Sequence, residues 1–295
     1  MPINLILSAI LTAGVAIHVN SAQPAAQPEA PQEAAEPMQE RFTTARGLLV
    51  ALANADADIE TLQGEVRLTA IQALQGDLQT RRGKLALRTV RPDANADDPI
   101  ATDRRLYAVT FNELRIDARV QAINEQYIFD GRWFVERHPD EQQFIKREVV
   151  PAGQTLDPMD LMRDAPFWVS VGDDADVILE DYDAVLFDAQ AGIAGDLELK
   201  GLAPFVEGTI QLKLSPKPNT SGADDWESVR MWFDQDTLLP RLYVKTEWTG
   251  DRQIAELFSV KTNTKIPARI FDTTTPELGS GWQVQVSPWR GRADG

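Results

Sequence analysis

The chain has 295 residues, 43% of them hydrophobic, a formal net charge of −16 and no cysteine. That length supports one large domain or two small ones with a sizeable core. Phosphate-backbone recognition needs clustered Lys and Arg, so an acidic chain argues against a nucleic-acid partner. The same charge disfavours electrostatic attachment to anionic lipid. Without cysteine there are no disulfides, no thiolate metal sites, no Cys nucleophile and no lipid attached through an N-terminal Cys.

Residues 3–19 are apolar and uncharged and run into Asn20-Ser21-Ala22. Residues 1–22 therefore read as a signal peptide for export to the periplasm, although no Lys or Arg precedes the apolar run. At 17 residues the run sits at the lower limit for a membrane span, so an uncleaved inner-membrane anchor is the alternative. Residues 23–40, rich in Pro, Ala, Gln and Glu and free of aromatics, read as a disordered linker. Residues 41–290 remain for one folded domain.

That domain opens with an amphipathic helix over 41–54, with Phe42, Ala45, Leu49 and Leu52 on one face and stop signals at Asn54 and Asp56. From Leu62 the period changes to two. Leu62–Ala70 and Gly83–Arg88 alternate as half-buried antiparallel strands, with Ala70–Thr80 ambiguous between them. Residues 91–104 form a polar loop. Strand text resumes at Leu106–Phe111 and Arg115–Ile123, and Asp130-Gly131 between two aromatic runs predicts a hairpin. Gln143–Val150 continues the meander. Residues 151–185 break it, with a short helix near Pro158–Met162, an apolar knot at Phe167 and Trp168, and a helix over Asp173–Tyr182. Strands return at Ile210–Leu214, Ser228–Phe233, Pro240–Lys245 and Ile254–Val260. The expectation is a mainly β (α+β) fold with a barrel or sandwich sheet.

Chemistry-bearing motifs are scarce. Of two histidines, His18 leaves with the signal and His138 reads as a turn residue. There is no G-x-S-x-G elbow and no phosphate loop. Asp173-Asp174-Ala175-Asp176 and Asp224-Asp225 lack the spacing of a calcium loop. The chain is read as a non-enzyme without metal or cofactor. An alternating apolar sheet with few long helices to cover it can curl around an apolar space. The same side chains can instead fill a solid core, and the pattern alone leaves both open.

The order of segments resembles the periplasmic outer-membrane lipoprotein carriers of the LolA type (the LolA/LolB/LppX-like superfamily). The helix precedes Ala57-Asp-Ile59-Glu-Thr-Leu62-Gln-Gly64-Glu-Val66. The hairpin Asp130-Gly131-Arg-Trp133-Phe134 follows, trailed by Arg137-His-Pro-Asp-Glu-Gln142. Next come Ala165-Pro-Phe167-Trp168, Leu212-Lys-Leu214-Ser-Pro216, Met231-Trp-Phe233 through Pro240, and Asn263-Thr-Lys-Ile266 through Phe271. The resemblance spans about residues 42–287. It implies an incomplete, strongly curved antiparallel β-barrel with short helices as a lid, acting as a lipid-binding chaperone in lipoprotein transport. Expected partners are acylated lipoproteins or acyl lipids, an inner-membrane exporter and an outer-membrane acceptor. By alternation and matching segment, the cavity would be lined by Leu49, Leu52, Val66, Leu68, Leu85, Leu87, Trp133, Phe167, Trp168, Leu212 and Leu214. The family's lid-latching arginine finds its nearest match in Arg115. An envelope-stress sensor of the same fold, binding a partner protein, is the alternative.

Overall fold

The computed structural model describes residues 42–91, 104–150, 175–220, 223 and 226–289. The signal, the linker, the Pro158–Met162 helix and the Phe167–Trp168 knot lie outside these residues. Helix α1 runs Ala45–Ala57, capped by the Thr44 hydroxyl, which accepts from Gly47 N at 3.1 Å. It continues through Asn54 and Asp56, where the sequence suggested a stop. Tertiary contacts hold the extra turn: Arg105 pairs with the Asp56 carboxylate, and Arg91 donates to the Ala57 carbonyl at 2.5 Å. Helix α2 is Ala175–Asp181.

Twelve strands follow in one sheet. They are β1 (Thr61–Gln72), β2 (Asp77–Val90), β3 (Arg104–Ile116), β4 (Arg119–Phe129), β5 (Trp133–His138), β6 (Gln143–Glu148), β7 (Tyr182–Asp188), β8 (Thr209–Pro216), β9 (Ser228–Asp234), β10 (Pro240–Thr246), β11 (Arg252–Thr262) and β12 (Gln283–Ser287). Their order is β12-β6-β5-β4-β3-β2-β1-β11-β10-β9-β8-β7, so the sheet is open, with β12 and β7 at its edges. All pairs are antiparallel except β12 with β6.

Three differences from the sequence reading have local causes. Arg115–Ile123 is not one strand. Ile116 pairs with Arg119 across a tight turn at Asp117, whose φ of 52° is left-handed and which an Asp-Ala pair does not advertise. Tyr182 does not complete the helix but begins β7, because its run to Asp188 alternates against β8. The segment 188–204, where the sequence reading placed no element, runs into a 3₁₀ turn at Lys200–Val206 that packs on the sheet.

A sheet this wide does not stay flat. At the register shifts Gln63/Glu65, Arg82/Gly83 and Phe111/Glu113 the partner strand carries one extra residue, which puts bulges on β11, β3 and β4 and sharpens bending. Tyr107 on β3 and Tyr243 on β10 are four strands apart and, traced through Leu62 and Leu68 of β1, six residues apart along the strands. On a flat sheet that is roughly 28 Å. Yet inward side chains of β3 and of β8 to β10 belong to one apolar cluster with those of α1, so the sheet is curved rather than flat.

The outer face carries two separate apolar patches. One gathers Ala86, Ala108, Ile128, Val135 and Phe144 under Ile266 and Phe271. The other gathers Trp232, Leu242, Val244 and Ile254 under Ile193, Leu199 and Val206. Guanidinium groups lie over their rings, Arg88 over Phe271 at 5.2 Å and Arg230 over Trp232 at 4.7 Å. The second patch is clasped by Arg252, which reaches Asp196 at 2.9 Å and Glu198 at 3.3 Å. Burial works against the Asp196 charge, but the Arg252 hydrogen bond and charge outweigh it and hold its pKa below the ordinary value.

Two predictions follow from these contacts. A Cβ at Gly83 would run into the Thr110 carbonyl oxygen and lie 2.8 Å from Phe111 Cα. Gly83→Val is therefore expected to lower unfolding stability by about 2–4 kcal/mol, whereas Gly201→Ala, with open space around it, changes it by under about 0.5 kcal/mol; urea unfolding checks both. Because the Asp196 pKa is depressed in the fold, its stabilisation is full above the unfolded value near ~4 and disappears as pH falls through the lower folded value. Asp196→Asn is expected to remove about 1–2 kcal/mol at pH 7 and to flatten the loss of stability on acidification, measured by thermal unfolding between neutral pH and about pH 2.

Candidate functional site

The inner face is one continuous apolar cluster with side chains from ten of the twelve strands and from both helices. Leu49 and Leu52 of α1, Val66 and Leu68 of β1, Leu85 and Leu87 of β2, and Leu212 and Leu214 of β8 all belong to it and are all buried. The structure thus brings together eight of the side chains that the sequence grouped. Alternation explains why: Leu85 and Leu87 turn inward while Ala86 between them joins the outer patch.

Trp133 is not among them. It is half-buried on the outer face, with Lys146 over its ring at 5.0 Å and Arg132 at 5.6 Å. The inward residue is Phe134, which pairs with Phe129 across a four-residue loop rather than a two-residue one. Asp130 closes that loop by accepting from the Arg132 and Trp133 amides at 3.0 and 2.8 Å. An even-numbered loop leaves the phase unchanged; Trp133-Phe134-Val135 is apolar at every position, so alternation there does not say which residues turn inward. Arg115 is exposed beside the β3–β4 turn. The β3 arginine that contacts a helix is Arg105, paired with Asp56 of α1. Phe167 and Trp168 lie outside the described residues.

Other inward residues went unnamed in the sequence although the same alternation marks them: Tyr107, Val109 and Phe111 on β3, Met231 and Phe233 on β9, and Tyr243 on β10. Near the edges, Phe111 meets Tyr127 edge-on at 6.0 Å, and Tyr182 stacks on Trp226 at 5.3 Å. Toward β4–β6 the inner face turns polar. Arg81 pairs with Glu125 at 2.9 Å, Tyr127 donates toward the same carboxylate at 3.5 Å, and Arg147 pairs with Glu136. Burial first, then the Glu125 charge, pushes the Tyr127 hydroxyl up to about 12. The Tyr107 hydroxyl is raised well above its usual value by burial, then by Tyr243 and Tyr127. Tyr243 is raised by burial, then by Glu247. His138 ends β5 with its ring against Tyr127 at 6.2 Å. Among the described residues, no three His, Asp or Glu side chains gather as a metal site would require, and no helix is long and apolar enough to cross a membrane.

No family model matches the sequence, and no curated protein does. Among solved structures the chain is similar to an uncharacterized conserved protein from Thermus thermophilus, at 10% identity over 83% of this chain and 99% of that one, with a TM-score of 0.39. It is similar to a LolA superfamily protein from Nitrosomonas europaea, at 12% identity over 78% and 98%, with a TM-score of 0.33. It is also similar to MucB in the Pseudomonas aeruginosa MucA/MucB complex, at 15% identity over 77% of this chain and 60% of that one, with a TM-score of 0.37.

The phase of β5 is directly testable. Phe134→Ala removes a buried ring and is expected to cost about 3–5 kcal/mol. Trp133→Ala, on the half-buried outer side, should cost under about 2 kcal/mol. Chemical denaturation of the two variants checks the order, and a reversed order would put Trp133 inside.

Proposed function

We propose that this protein is a periplasmic carrier that shields the acyl chains of lipoproteins or related lipids against the inner face of its curled sheet during transit to the outer membrane. The observation that carries this is the mismatch between an inner apolar face drawn from ten strands and the cover lying on it, which among the described residues is α1 and α2. Apolar surface of that extent needs a partner. Acyl chains suit it, since each methylene removed from water contributes roughly 0.8 kcal/mol without directional bonds. A load held that way can be passed on.

The ties at both ends of α1 suit reversible opening. Arg46 pairs with Asp176 of α2, with side chains 57% and 64% exposed. Exposed pairs contribute at most about 1 kcal/mol. At the other end, Arg105 holds Asp56. Lifting α1 therefore breaks two ion pairs and uncovers three leucines, and an incoming acyl chain replaces the leucines' contacts.

A second reading, an envelope-stress sensor that binds a partner protein, draws on the β7 edge, where Val185 and Phe187 are 48% and 41% exposed. An added strand could pair there.

Protein purified from periplasm should carry acyl lipid by native mass spectrometry, and the delipidated protein should take up a fluorescent fatty-acyl probe. Asp56→Asn, which frees the C-terminal end of α1, is expected to speed probe exchange several-fold while costing under about 2 kcal/mol of stability. Absence of bound lipid and of probe uptake would overturn the carrier reading. A stoichiometric protein partner without transferable lipid would favour the sensor.

A further inference from the structure

Exposed apolar side chains gather at one end of the sheet. The β1–β2, β3–β4 and β10–β11 turns all lie at that end, as the antiparallel pairing requires. Leu74 in the β1–β2 turn is 95% exposed, and Trp248 in the β10–β11 turn is 61% exposed. Leu197, 74% exposed, is brought there by its neighbours Asp196 and Glu198, which both hold Arg252 at the start of β11. These are three of the four most exposed large hydrophobic side chains among the described residues. Leu78, Ile116 and Val120 beside the same turns are also exposed. At the opposite end the β4–β5 turn is Asp130-Gly131-Arg132, and the β9–β10 turn is Gln235-Asp236-Thr237 followed by a buried Leu238. Single exposed hydrophobics are ordinary, but their concentration at one end is not scatter.

These turns are locked together. The Ala73 amide donates to the Asp251 carboxylate at 2.9 Å, and the Trp248 indole donates to the Ala223 carbonyl at 2.8 Å, which fixes the ring while most of it stays exposed. The charges nearest Trp248 are engaged within the fold: Glu247 with Lys245 at 3.4 Å, Asp251 with Ala73, and Arg252 with Asp196 and Glu198. The run Gln72–Gly76 around Leu74 is uncharged.

We propose that this end of the sheet is a membrane-docking surface, where Leu74, Trp248 and Leu197 insert shallowly into a lipid bilayer. A chain with a net charge of −16 has no electrostatic hold on anionic lipid, so its contact with a bilayer has to come from apolar insertion. Side chains standing out singly from separate turns suit a fluid interface, which closes around each of them; a protein partner would need a matching pocket for each. Their reach suits the roughly 5–10 Å depth of interfacial anchoring, and tryptophan favours that layer. The turns close β1, β2, β10 and β11, whose inward residues Val66, Leu68, Leu85 and Tyr243 belong to the apolar cluster. Docking here sets one end of the inner face against the leaflet. The inference does not require the carrier reading, because the turns meet the bilayer whatever the inner face holds.

The test is flotation of protein recovered from the periplasm with phosphatidylcholine vesicles. The unaltered protein should float with them. Leu74→Asp and Trp248→Ala should each lower the bound fraction about tenfold, the scale of one apolar side chain removed from the interface. Trp289→Ala, which removes an exposed ring at the opposite end beside Glu148, should leave binding unchanged. Unfolding midpoints of Leu74→Asp and of a milder Leu74→Ser should match the unaltered protein, since Leu74 packs on nothing. Absence of flotation overturns the inference and leaves these turns to a protein partner, as does binding that Leu74→Asp and Trp248→Ala leave intact. Binding that appears only when phosphatidylglycerol is added and vanishes in high salt is electrostatic and overturns it too. None of these outcomes touches lipid uptake by the inner face, so the carrier reading stands or falls separately.

Discussion

Covering both faces of the sheet is the constraint from which the rest of the architecture follows. Twelve strands side by side would span about 50 Å, and a helix of 13 residues covers about 20 Å of that. Backbone hydrogen bonding fixes the strands in one layer, so apolar side chains emerge on both faces and each face needs material against it. The outer face is served by loops between strands. Ile193, Leu199 and Val206 plug one half, and Ile266 with Phe271 plug the other. Among the described residues the inner face is covered by α1 and α2. For the rest the sheet bends over itself, helped by the bulges on β11, β3 and β4.

The two faces therefore differ in how firmly they are held. Outer plugs are fixed by directional contacts: Arg88 donates to the Ile266 carbonyl while its guanidinium covers Phe271, and Arg252 grips Asp196 and Glu198. Inner contacts around α1 are dispersive and interchangeable, leucine against leucine, with ion pairs at the ends of α1 and at the polar margin toward β4–β6. A structure that fastens its outside and leaves its inside to non-directional packing can exchange inner contacts without unravelling.

Much of this was legible in the sequence wherever a local rule acted alone. Period-two alternation placed Leu85, Leu87, Leu212 and Leu214 on one face because a strand has no other way to arrange them. The same rule failed at Trp133, because three successive apolar residues, Trp133, Phe134 and Val135, leave the phase open. It failed again at β7 and β12. The first starts in what reads as a helix, and the second owes its existence to a parallel pairing with β6, whose sequence lies about 140 residues earlier. The α1 terminus was misplaced because Arg105 and Arg91, both distant in sequence, satisfy groups that local chemistry would leave open. What local pattern conveys is which way a side chain points; what it cannot convey is what stands opposite.

Selectivity, if the inner face holds amphiphiles, cannot come from charge at its polar margin. Arg81 is taken by Glu125 and Arg147 by Glu136, so the margin toward β4–β6 offers pairs rather than free charges. The chain as a whole is strongly acidic, which gives an anionic headgroup no electrostatic reason to approach. Chain burial alone does not discriminate either, because its free energy scales with area whatever the linkage. Discrimination must then arise where a polar group meets the apolar interior and the cost of an unmet hydrogen bond is highest.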